Sequence, residues 1–133
     1  MTCFWTGVVS ALLPEDFERL GLTTTPTLPT FIQKLKEIAA AADTFELKWQ
    51  GTYLTASEIQ EQKEAIRDYN IDGIGNGHWT SSCDPFLCLL THVLEIQIDF
   101  RYMNNLIVFE STKPIRKRLQ FAASESHFVR MCS

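Results

Sequence analysis

The chain has 133 residues, 45% of them apolar and 21% charged, which is the balance of a globular protein with a single domain expected over 1–133. A net charge of −4 at pH 7 argues against binding nucleic acid through phosphate neutralisation. No apolar run reaches the roughly 18 residues of a membrane-spanning helix, and the N-terminus lacks the basic start of a signal peptide, so a cytoplasmic protein without membrane contact is expected.

The first predicted element is a helix over Cys3–Leu13, apolar nearly all round and so buried, with Thr2 as N-cap and Pro14 as its end. "LGLTTTPTLPT" is a loop with two prolines. It leads into a helix over "FIQKLKEIAAAAD", where Phe31, Ile32, Leu35, Ile38 and Ala39 recur with helical period. "FELKWQGTYL" alternates like a short strand. In "TASEIQEQKEAIRDYN", Thr55 and Glu58 stand at capping-box spacing, and Ile59, Ala65 and Ile66 give only a thin apolar stripe, so this helix faces solvent. A glycine-rich loop, "DGIGNGHW", follows, and the next helix starts between Ser82 and Pro85, since proline suits a first turn. It runs through the apolar "FLCLLTHVLE". The last forty or so residues read as strands, "IQIDFRY", "NLIVFE", "RLQFA" and "HFVRM", joined as an antiparallel meander. The fold class is α+β, with helices packed on a small, mainly antiparallel sheet.

The cysteines, Cys3, Cys83, Cys88 and Cys132, match no zinc spacing and read as free thiols, so neither a metal nor a cofactor is expected. The glycine loop has neither the spacing of a dinucleotide fingerprint nor the carboxylates of a calcium loop. Its glycines offer a backbone-rich edge for an extended peptide, with Trp79 as a wall.

A cysteine nucleophile needs a base, and three histidines are present: His78, His92 and His127. His92 lies mid-helix, one turn from Cys88, and reads as a hydrogen-bonded structural residue. Cys3 stands at a helix N-terminus, where the dipole lowers a thiol's pKa and backbone amides can bind an oxyanion. His127 begins the last strand, a rigid mount for a base. Helix-borne cysteine first and strand-borne histidine last is the chain order of papain-like folds.

On these residues the chain resembles the ovarian-tumour (OTU) family of cysteine proteases. "TCFWTGVVSALL" keeps the family's cysteine, the following aromatic pair (Phe4 and Trp5) and the small-then-apolar rhythm of the nucleophile helix. "GHWTSSCDPFLCLLTHVLEIQIDF" follows its loop–helix–strand layout, and "SESHFVRM" supplies His127 and Phe128 in the place of its closing histidine strand. The resemblance implies a papain-like fold, a Cys3 thiolate, a His127 base and a narrow channel lined by Gly77, His78 and Trp79. The substrate it implies is the C-terminal tail of ubiquitin or a ubiquitin-like protein, cut by a monomer. The family often places Asn or Asp two residues after the histidine, where this chain has Val129, so the imidazole's orienter is expected from the loop, as Asp72 or Asn76. The compact length is similar to that of virally encoded members, for which the host cytoplasm is the expected location. A non-catalytic OTU-like binding module and an acidic immunity or inhibitor-type protein are the alternative readings.

Overall fold

Side-chain capping by Thr27 and Thr55 marks where two of the helices begin. In this computed structural model, residues 3–22, 26–42, 46–71, 80–102, 104–123 and 128–130 are described, with the side chains of 3, 4, 47, 80–84, 123 and 128–130 outside the description. Helix α1 is Cys3–Ala11, α2 Pro14–Arg19, α3 Leu28–Ala41, α4 Ala56–Asp68 and α5 Thr80–Leu94. At the start of α4, Thr55 Oγ1 accepts from the Glu58 amide (3.1 Å) and Glu58 Oε1 accepts from the Thr55 amide (2.9 Å), the reciprocal box its spacing predicts.

Two helices begin earlier than the sequence pattern indicates. α3 starts ahead of Phe31 because Thr27 caps it, accepting from the Thr30 amide, and Pro29 fits a first turn where no amide is needed. α5 starts at Thr80, which puts Pro85 in the second turn rather than the first. Pro85 is buried beside Phe86 and Leu87, so packing offsets the helical amide that proline lacks. Pro14 ends no helix directly: α1 stops at Ala11, and Pro14 opens α2. A helix of six residues is too short to show a period.

The strands are β1 (Leu47–Trp49), β2 (Thr52–Tyr53), β3 (Gln97–Tyr102), β4 (Asn105–Ser111), β5 (Arg118–Ala123) and β6 (Phe128–Arg130). They form one sheet in the order β2-β1-β4-β3-β5-β6. All neighbouring pairs are antiparallel except β3 and β5, which run parallel. The expected meander is thus corrected at one joint. After β4 the chain crosses back and enters β5 on the far side of β3. Backbone bonds hold it there, from the Arg116 amide to Glu95 O (2.9 Å) and from the Gln97 amide to Lys117 O (3.1 Å).

Strand period separates the two faces of the sheet. Ile98, Phe100, Phe109, Leu119 and Phe121 share one face and are buried under the helices, whereas the intervening Asp99 and Arg101 lie on the other. α5 packs against β1, β3 and β4, with Leu87, Leu90 and Leu94 buried. After α5, Glu95 adopts a left-handed φ of 55° and the Ile96 amide bonds Thr91 O, a helix ending usually made by glycine. The molecule is therefore α+β, with helices on a mixed sheet. Among the described residues no helix is long and apolar enough to cross a membrane.

α3 and α4 close each other's ends. Lys36 of α3 donates to the carbonyl of Tyr69, the C-cap of α4 (2.7 Å), and Lys63 of α4 donates to the carbonyl of Ala42, the C-cap of α3 (2.5 Å). Each ammonium satisfies an orphan carbonyl and meets the negative end of a helix dipole.

Candidate functional site

Cys3 is the first residue of α1, and α1 lies against β6, the strand that immediately follows His127 in sequence. The first helix and the last strand are therefore neighbours. The side chain of Cys3 and the whole of His127 lie outside the described residues, as do Asp72, Asn76, Gly77, His78 and Trp79.

What fixes α1 is its buried face. Trp5, Val8, Ala11 and Leu12 are all buried, and Trp5 is completely so. The Trp5 ring meets Phe86 edge-on at 4.8 Å, Tyr69 at 5.8 Å and Phe31 at 6.1 Å between centroids. Its indole Nε1–H donates to Tyr69 Oη at 2.9 Å. A buried indole needs such an acceptor, and this bond sets the roll of α1 two residues after Cys3. Of the aromatic pair after the cysteine, Trp5 is thus a core anchor.

Tyr69 ties this helix to the start of the glycine loop. Its hydroxyl receives the Trp5 bond and its carbonyl receives Lys36, while Asn70 and Ile71 lead on to residue 72. A cavity of about 590 Å³ opens beside it, lined by Leu22, Pro29, Gln33, Lys36, Tyr69 and Ile71 among others. A second, of about 430 Å³, lies between α3 and α4 and is lined by Lys36, Glu37, Lys63, Glu64 and Arg67 among others. Sequence reasoning did not single out Tyr69, because an aromatic at the end of a solvent-facing helix carries no pattern that marks it.

No family model, curated protein or solved structure matches this chain. The functional reading therefore rests on its residues and their placement.

His92 takes the structural role expected of it. Its Nδ1 accepts the Glu46 amide at 3.0 Å, which pins the segment entering β1 to α5. Cys88, one turn earlier, is buried within α5. Among the described residues no group of His, Cys, Asp and Glu converges as a metal site.

Among the described residues, one buried electrostatic cluster is a feature that the sequence reading missed. Asp16 of α2 is completely buried: its Oδ1 accepts from Arg116 Nη2 (2.9 Å), and its Oδ2 accepts from the Leu13 amide (2.8 Å) and pairs with Lys117 Nζ. Arg116 Nε also donates to Leu94 O at the end of α5 (2.9 Å). Burial pushes the Asp16 carboxyl up, but the bonds from Leu13, Lys117 and Arg116 outweigh it and hold the pKa below its ordinary value. Both oxygens are occupied, so this carboxylate is a clamp joining α2, α5 and the β4–β5 crossover rather than a reactive group.

Proposed function

We propose that this chain is an OTU-like cysteine protease that cleaves after the C-terminal tail of ubiquitin or a ubiquitin-like protein. The observation that carries the reading is the packing of α1, which begins at Cys3, against β6, which follows His127. In this reading the Cys3 thiolate attacks the tail's terminal carbonyl, and the oxyanion is held by backbone amides of the first turn of α1. His127, which holds the proton taken from the Cys3 thiol, passes it to the departing amine, leaving a thioester. It then draws a proton from water, which hydrolyses that thioester and frees Cys3. Gly77, His78 and Trp79 line the tail's channel, and Asp72 or Asn76 orients the imidazole. The protein works as a monomer in the cytoplasm, the host's if the chain is viral.

The test is a ubiquitin probe bearing a C-terminal electrophile. Wild type should form a covalent adduct, detected by intact mass, and Cys3→Ala should not. A folded wild-type protein that is inert to probes of ubiquitin and its relatives refutes the reading. Binding without reaction would assign a non-catalytic module instead.

A further inference from the structure

The lysines that close α3 and α4 share one chemistry, but their two carbonyls lead to different places. Lys63 closes α3 on Ala42 O, and Ala42 has no polar side chain to hold anything further. The chain beyond it runs to β1, which has three strands between it and β6. Lys36 closes α4 on Tyr69 O, and Tyr69 is the residue that receives the Trp5 indole. With φ −62° and ψ 128°, Tyr69 has left the helix, and its carbonyl has turned out of the helical ladder. Its amide still reaches Ile66 O, at a long 3.3 Å, whereas the charge-assisted bond from Lys36 measures 2.7 Å. The lysine is the firmer of these two tethers, at a point where helices fray.

Two things follow the placement of Tyr69. Its ring packs on Trp5 (5.8 Å) and Phe86 (5.1 Å), and its hydroxyl accepts the bond that sets the roll of α1. Its backbone sets the direction in which Asn70 and Ile71 leave for residue 72. We infer that Lys36 is a positioning residue for the Cys3 nucleophile, acting through Tyr69 and Trp5, while Lys63 is a helix cap without that reach. The role toward Cys3 rests on the protease reading; the coupling of Lys36 to Trp5 rests on the hydrogen bonds alone. Lys36 lines both cavities beside Tyr69, so a side chain without the donor has open space to turn into and does not strain the core.

The test compares wild type with Lys36→Met, Lys36→Arg and Lys63→Met. Methionine keeps an unbranched stem and removes the donor; arginine keeps a charged donor. Each protein is measured for melting temperature, for the Trp5 indole N–H resonance, and for adduct formation with the ubiquitin electrophile. Both methionine variants should melt lower, by similar amounts. Lys36→Met should shift the Trp5 resonance and slow labelling at saturating probe about tenfold, where a misplacement of ~1 Å can cost a hundredfold. The probe concentration giving half the maximal rate should stay near that of wild type. Lys36→Arg should recover both signals, and Lys63→Met should leave both unchanged. A lysine that only stabilises the fold would lower the melting temperature and leave the resonance and the rate of the folded protein as in wild type; that result overturns the inference. Equal slowing by Lys63→Met overturns it as well. If wild type is inert to the probe, the protease reading fails and the role toward Cys3 falls with it, whereas an unmoved Trp5 resonance in Lys36→Met refutes the coupling itself.

Discussion

Replacing Asp16 with alanine strips the acceptor from two cations and one backbone amide at once. Breaking a buried ion pair from one side costs ~3–5 kcal/mol because the remaining charge is left without compensation. Here the side chains of Arg116 and Lys117 keep 22% of their surface in water, so both can turn partly outward. That places the loss near ~3 kcal/mol, the lower end of the range, including the Leu13 amide. For a chain of this length, such a loss lowers the melting temperature by roughly 10 °C. Urea denaturation followed by circular dichroism reads it directly. The pH dependence gives a second check. The folded carboxyl titrates below its ordinary 3.8, so the clamp contributes in full above that value and weakens as pH falls through the folded one. The gap between wild type and Asp16→Ala should therefore hold at neutral pH and narrow below about pH 4. A neutral-pH loss under ~1 kcal/mol, the size of an exposed pair, or a gap that widens in acid, would refute the clamp.

Two further substitutions probe the helices. Tyr69→Phe removes the acceptor of the Trp5 indole bond and should cost ~1–2 kcal/mol in urea melts; with the proposed activity it should also slow labelling by the ubiquitin probe, because α1 carries Cys3. Thr55→Ala breaks the box at the start of α4 and should cost ~1 kcal/mol, with faster amide exchange confined to the first turn of that helix.

Elements whose signals are local were legible in the sequence. The Thr55–Glu58 box set the start of α4, the alternation of Ile98 and Phe100 marked β3, and the unbroken apolarity of residues 86–90 marked a buried α5. What depended on distant partners was not legible. Nothing in "PEDFER" marks Asp16 as buried, because its cations come from positions 116 and 117. Those same contacts hold the crossover that turns a meander into a parallel β3–β5 pair. Tyr69 has the same character, since it is explained only by what the fold brings beside it. Of the site, sequence order led to the expectation of helix first and histidine strand last, and α1 and β6 do pack together. The glycine loop and His127 fall outside the described residues.

The packing of α1 on β6 also has a consequence for synthesis. On the ribosome α1 emerges well before β6, the strand it packs against. Until that strand emerges, α1 lacks one of its neighbours, and the contact between them joins residues more than a hundred positions apart. Contacts of such separation are slow to form, so the nascent chain carries exposed apolar surface for longer than a locally wired fold would. If Cys3 is the nucleophile, the same arrangement withholds its activity from every shorter intermediate.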